Sequence, residues 1–471
     1  MVTDGDSSLT NEKRDNDKNK KILYRLGNLS DGTISLLASL VVGLMLTEPL
    51  IISIVSIIDR SVDYYLLLSW NIIRSWIFPA VCIISFVIYF LILLKIRNEN
   101  NGLLYYIKKN PVFVIFALAV ILMIVSQFYN GIESTVDKVP DFVRGESFDM
   151  QYSYFIFLLF CASQVRSESH KHNLIRIHLF CSIFLAVSGF IQWKSKSSSV
   201  IFEDWHEWSD TFRSIFVNLN YYGYYLAVTV SLAAANLIGE KNIIWKIGSA
   251  VIFIINTVAL SINNSTGAWI GAAFGILFLA ISRFIIDKKI NIQIIVVVFV
   301  FIICLYFPGK LVGSFDENVS TLTADIGNII SGDKSAESAG SGRWIIWTTT
   351  MDIIKINPWF GIGFEGVVMR QYAGPPYMSR PHNEFMQYAL FYGIPMALMY
   401  IIGCFTMFLR ALKKKKNLDS STLACLTAAF GYLVSSFFGL TVFSTAMYLF
   451  IFLGMGYVRE DVKHVSDIKC T

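Results

Sequence analysis

Charge is scarce in this sequence. Only 15% of its 471 residues are Asp, Glu, Lys or Arg, 55% are hydrophobic, and the mean hydropathy is +0.56. Water-soluble domains carry about 25% charged residues, so an ordinary soluble domain is excluded. Nucleotide and metal signatures are also missing. The chain has no phosphate-binding P-loop, no glycine-rich dinucleotide fingerprint and no H-E-x-x-H helix, which excludes a nucleotide-driven engine encoded here. Of the seven cysteines, Cys82, Cys161, Cys181, Cys304, Cys404 and Cys425 lie in apolar runs and Cys470 near the C-terminus. No pair has metal-ligand spacing and none lies in a polar outer loop, so neither a metal site nor a disulfide framework is expected. No cleavable signal peptide is visible: residues 1–31 are polar and mixed in charge, with no apolar residue from Asn11 to Lys21. They read as a disordered cytoplasmic tail.

What the chain does have is long apolar runs. A membrane-spanning helix needs about 20 apolar residues, and such runs fall near 34–57, 76–94, 111–130, 151–165, 173–193, 219–239, 243–262, 267–286, 290–307, 384–409, 422–440 and 442–458. The fold class expected is therefore an all-α polytopic membrane protein of about twelve helices. Loop charge supports the order independently. Lys95, Arg97, Lys108 and Lys109, then Arg166 and Lys171, then Arg283, Lys288 and Lys289, and then Arg410 with Lys413 to Lys416 fall on one side. Acid-rich loops (Glu133, Asp137, Asp141, Glu146 and Asp149; Glu203, Asp204, Glu207 and Asp210) fall on the other. By the positive-inside rule the basic side is cytoplasmic, and so are both termini. The formal net charge of +5 belongs mostly to those cytoplasmic loops and does not point to nucleic acid. The organisation expected is a tail at 1–31, a bundle at 32–307, a large extracytoplasmic loop at 308–383, C-terminal membrane helices at 384–458 and a tail at 459–471.

Loops as long as 308–383 are usually functional. Its first part, Ser314 to Gly342, is rich in Gly, Ser and Asp. Trp344, Ile345, Trp347, Thr348, Met351, Ile354 and Ile356 then suit an amphipathic helix near lipid headgroups. Asn357-Pro358 ends it, and Gly361 and Gly363 form a turn.

Few polar residues stand where chemistry needs them. Arg343 opens the loop helix, where a guanidinium can bind phosphate bidentately or reach to headgroups. Arg370 and Arg380 follow. His382 stands at the mouth of the tenth span, where an imidazole can exchange protons near neutral pH. Asn383 beside it can cap the helix. Arg213 precedes Asn218 and Asn220 at the start of the sixth span, where amides can cap or touch a glycan. Glu48, before Pro49, falls in the middle of the first span, as a functional carboxyl or as a hydrogen-bonding one.

Gly342-Arg343-Trp344-Ile345-Ile346-Trp347, then Asn357-Pro358-Trp359-Phe360-Gly361-Ile362-Gly363-Phe364, then Pro381-His382-Asn383-Glu384-Phe385, with Tyr392-Gly393-Ile394 after them, resemble the signature of the O-antigen ligase/polymerase superfamily. Phe212-Arg213 to Asn218-Leu219-Asn220-Tyr221 is similar to its Asn-rich start of a middle span. The chain departs from the family at Ser265-Thr266-Gly267-Ala268-Trp269, where Thr266 stands in place of an arginine; Arg213, Arg370 and Arg380 are the candidates to supply that charge. The resemblance implies a GT-C-like, metal-independent inverting glycosyltransferase without cofactor in the bacterial inner membrane, acting at the extracytoplasmic face. His382 and Arg343 would be catalytic. Arg213, Asn218, Asn220, Arg370, Arg380 and Asn383 would bind substrate. The aromatics Trp344, Trp347, Trp359 and Tyr377 can stack on sugar faces or form a membrane-interface belt. It implies as partners an undecaprenyl-pyrophosphate-linked glycan, membrane lipids and a chain-length regulator. Polymerase of O-antigen or capsule is the leading expectation, ligase the second. A lipid-linked oligosaccharide flippase comes third, because Glu48 is nearly alone among charges at mid-depth.

Overall fold

The computed structural model describes residues 30–58, 80–81, 83–94, 107–130, 151–195, 212–216, 218–331, 343–363, 380–414, 418–440 and 443–458. Among these there is no strand. In chain order the helices are α1 (Asp31–Ile58), α2 (Ile83–Leu94), α3 (Pro111–Asn130), α4 (Gln151–Ala162), α5 (Glu168–Ser195), α6 (Leu219–Gly239), α7 (Ile243–Asn263) and α8 (Thr266–Asp287). Then come α9 (Ile292–Val312), α10 (Ser314–Ser331), α11 (Arg343–Ile356), α12 (Glu384–Tyr392), α13 (Ile394–Lys413), α14 (Ser420–Ser436) and α15 (Phe443–Met455).

Among the described residues, each apolar run of the sequence falls largely on a helix. Eight helices, α1, α3, α5, α6, α7, α8, α9 and α13, are each long and apolar enough to cross a membrane. The chain is an all-α polytopic membrane protein. Its outward surface is apolar, as a lipid environment requires: Val296, Phe299, Ile302 and Phe307 of α9 are all exposed. Helix α6 is the axis, with 89% of its spanning window buried. It packs against α7, α8 and α14, and Gly271, Gly275, Gly431, Ser231 and Ser435 line the seam. Small residues let backbones approach closely where lipid supplies no hydrophobic drive. Interhelical hydrogen bonds add to this, including His178 to Thr229 at 3.0 Å and Asn256 to Ser182 at 3.1 Å.

Three boundaries differ from the reading of the sequence. Helix α9 continues past the expected 307 to Val312, with Pro308 inside it. Most of the Gly/Ser/Asp-rich stretch that follows is helix α10. The expected tenth span, 384–409, is broken at Gly393 into α12 and α13.

At one end of the bundle charges pair with one another. Arg176 meets Glu240 at 2.8 Å and stacks over Trp245. Lys171, buried, donates to Thr422 at 2.6 Å and lies 3.6 Å from Asp419, and Arg166 meets Asp31 at 2.9 Å. Arg410 donates to the carbonyls of Val458 and Lys109. Burial alone would raise the carboxyls of Glu240 and Asp419. The Asn242 N–H and Arg176 hold Glu240 below its ordinary value instead, and Lys171 with the Ser421 and Thr422 hydroxyls does the same for Asp419.

Candidate functional site

The opposite end carries the sequence motifs, and its first feature is a clasp between two backbones. Ile356 ends α11, and the chain turns through Gly361 at φ +64° and Gly363 at φ +76°. The Ile362 N–H donates to the Leu390 carbonyl at 2.9 Å and that of Gly363 to Phe391 at 3.1 Å. In return, the Ile394 N–H donates to Pro358 at 2.8 Å. The break at Gly393 frees carbonyls that helix α12 would otherwise use, and the turn supplies their partners. No side chain fits at the crossing. A Cβ on Gly361 would stand 2.5 Å from the Leu390 oxygen, and one on Gly393 2.2 Å from that of Trp359. Ser126 of α3 donates to Phe360 at 2.5 Å and to Phe391 at 3.1 Å, and Asn130 donates to Phe360 at 3.2 Å. The N-P-x-x-G-x-G run therefore positions the site.

The clasp sets α11 beside the start of α12. The Trp347 indole N–H donates to the Pro381 carbonyl at 2.8 Å, and its ring packs on Phe437. His382 follows at φ +50°, a left-handed backbone conformation that costs a non-glycine residue about 1–3 kcal/mol. Asn383 caps α12 by accepting from the Met386 N–H at 3.1 Å. Arg380 is buried, with its guanidinium 5.9 Å from the Phe391 ring centre. Arg343 is the first residue of α11 and half-buried. Tyr224, on the first turns of α6, donates its hydroxyl to the Phe438 carbonyl at 3.2 Å.

That turn of α6 leads to the second motif. Arg213 is buried in the loop before α6, and burial holds its guanidinium below the usual arginine value. Ser214 takes φ +53° and donates to Leu185 at 2.7 Å. Asn263, at the end of α7, donates to the carbonyls of Phe212 at 2.7 Å and Leu219 at 2.9 Å. Asn218 caps α6 through the Asn220 N–H at 2.8 Å, and Asn220 accepts from Ser265 at 3.0 Å. Thr266 donates to Asn318, which ties α8 to α10. The Arg213 loop and the start of α6 are thus stitched to Asn263 and Ser265, two of the three residues that immediately precede Thr266.

The structure brings Arg343, Arg380, His382 and Asn383 together around the starts of α11 and α12. Arg213, Asn218 and Asn220 lie together on the α6 side. Arg370 lies outside the described residues. Ser126, Asn130, Tyr224 and Tyr400 were missed; a polar pair at i, i+4 in the apolar α3 was the one available signal for the first two. Two of the four non-glycine residues at positive φ, Asn264 and Lys288, are helix C-caps, and the other two are Ser214 and His382, beside the motif arginines.

Fold and site together define a polytopic membrane protein whose polar, strained loops gather at one end of the bundle. Residues 250–401 match the family model described as O-antigen ligase. The match runs from α7 into α13 and bears out the resemblance to the O-antigen ligase/polymerase superfamily, with a function of that general type, that of a glycosyltransferase-like bacterial membrane enzyme. No curated protein matches the chain.

Proposed function

We propose that this protein joins undecaprenyl-pyrophosphate-linked repeat units into a surface polysaccharide, as an inverting glycosyltransferase. The observation that carries the reading is the Trp347–Pro381 hydrogen bond. It holds the helix that begins with a fixed cation, Arg343, against the segment that carries a titratable base, His382. An acceptor hydroxyl attacks the anomeric carbon of the donor sugar, and His382 takes the hydroxyl proton. The bond from that carbon to the pyrophosphate oxygen breaks on the opposite face. Arg343 and Arg213 stabilise the charge that collects on the leaving pyrophosphate. Arg213 is the strongest candidate to stand in for the arginine absent at Thr266, because its loop and the start of α6 are stitched to Asn263 and Ser265. Asn218 and Asn383 act here as helix caps, which leaves their backbone surroundings, more than their amides, to face substrate. The glycosyl pyrophosphate supplies the driving force.

The site faces the extracytoplasmic side in this reading. The turn with Lys288 and Lys289 and the end of α13 with Arg410, Lys413 and Lys414 lie at the end of the bundle away from His382, as the positive-inside rule requires. A reporter fused after Asp333 is then expected outside and one at Lys415 inside.

A ligase, which moves finished polymer to a terminal acceptor, is the second reading, favoured by the description of the matched family. The size distribution of undecaprenyl-linked glycans separates the two in cells lacking the protein and in cells carrying His382→Ala. Single repeat units accumulating without long chains support the polymerase. Long lipid-linked chains left unattached support the ligase. Lipid-linked units trapped facing the cytoplasm would overturn both.

A further inference from the structure

The buried carboxylate of Glu384 has no part in the chemistry described so far. It is the first residue of α12, two positions after His382, and is 0% exposed. Across the break at Gly393, the Tyr400 hydroxyl of α13 donates to its Oε1 at 2.6 Å. The Tyr388 ring packs on Tyr400 with centres 4.6 Å apart. The carboxyl group of α12 is thus held by a phenol of α13. Apolar residues of the same volume would fill such a place at no loss of stability, and often with a gain. A carboxylate among membrane helices therefore asks for a functional account.

His382 supplies one. Its left-handed backbone persists only if neighbouring structure over-determines it. Two anchors from outside its own segment flank it: Trp347 holds Pro381 on one side, and Tyr400 holds Glu384 on the other. The cap made by Asn383 lies within α12 and fixes the start of that helix alone. The Glu384–Tyr400 hydrogen bond ties that start to α13, beside the packing of Phe385 and Tyr388 on the Tyr400 ring. The carboxylate itself is sealed from solvent, so its influence passes through the backbone it shares with His382.

We infer that Glu384 is a positioning residue which, held by Tyr400, fixes the backbone of His382. The effect on catalysis rests on the reading of His382 as the base, whereas the effect on geometry does not. The test uses the full-length protein in detergent, treated with diethylpyrocarbonate. Peptide mass spectrometry reads the carbethoxylation rate at His382, with His172 at the far end of the bundle as internal reference. Tyr400→Phe removes the hydrogen bond and is expected to change the His382 rate by about threefold or more, the scale of one lost hydrogen bond. Glu384→Gln keeps a weaker amide acceptor for Tyr400 and is expected to change that rate in the same direction by less. The His172 rate stays unchanged. The double variant should match Tyr400→Phe, because that change already breaks the link. Cells carrying either variant should lose polymer in parallel.

An unchanged His382 rate in both variants overturns the proposal, even if polymer is lost. If Glu384→Gln disturbs the whole fold, so that His172 moves as well, Tyr400→Phe decides alone, since it keeps the carboxylate. A changed His382 rate in a protein whose wild type forms no glycan product leaves the positioning role standing and removes the glycosyl-transfer reading.

Discussion

The paired cations at the basic end of this bundle and Arg343 at the motif end are held in different ways. At the basic end Arg176, Lys171 and Arg166 meet Glu240, Asp419 and Asp31, and Arg410 is fixed by two carbonyls. At the other end Arg343 makes no ion pair among the described residues, and it opens a helix beside a histidine in a strained conformation. Charges that pair among themselves hold helices in place. In the proposed mechanism, a cation without a carboxylate of its own is arranged for an anion that comes from outside. The contrast separates structure from chemistry in a protein where both draw on the same few residue types.

The sharpest way to break this contrast is to remove the groups at the strained end. His382→Ala or Arg343→Ala should lower polymer formation by about a hundredfold or more, with normal amounts of protein in the membrane fraction. Ordinary product from both would end the comparison. Gly393→Ala comes next. Its Cβ would stand 2.2 Å from the Trp359 oxygen at a φ of +89°, so the clasp should open, with a loss well above 1 kcal/mol and less folded protein in a thermal-stability assay. Trp347→Phe keeps the ring and removes the donor to Pro381. A drop in transfer of roughly fivefold, for about 1 kcal/mol of lost hydrogen bonding, is expected in a rate assay, with little change in melting temperature.

The smallest effect on activity belongs to the basic end. Asp419→Asn leaves Lys171 buried beside a neutral amide and should cost roughly 1–3 kcal/mol, discounted because Asp419 is partly exposed. Polymer formation should stay unchanged. The pH dependence follows the same pair. The folded Asp419 carboxyl is held below its ordinary value of 3.8, so its contribution is complete above that value. It is lost as pH falls through the lower, folded one. Melting temperatures of wild type and Asp419→Asn should therefore converge only in strong acid, and convergence already at pH 6 would contradict the pairing.

Much of this was legible in the sequence. The apolar runs located the helices because a bilayer demands unbroken hydrophobic length, and the motif order marked Arg343 and His382. The break at Gly393 was not legible, since its apolar flanks read as one span and only the N–H donors of the distant turn show why the helix stops. Helix α10 was hidden by Gly327 and its serines. Its start is set by tertiary contacts instead, with Lys310 on Asp316, Asn264 on Glu317 and Thr266 on Asn318. Glu384 stood in plain view beside His382, but its partner Tyr400 is sixteen residues on, across the break.

The clasp also sets a timetable for biogenesis. Its pieces come from Ser126, from 357–363 and from 390–394, and the hydrogen bonds from Ser126 reach 234 and 265 residues along the chain. A ribosome delivers these parts far apart in time, so α3 must wait in the membrane with its hydroxyl and amide in place while most of the remaining chain is made. The site cannot be assembled in a nascent chain that ends before Ile394. Truncated products would then enter the membrane without the clasp that sets α11 beside α12.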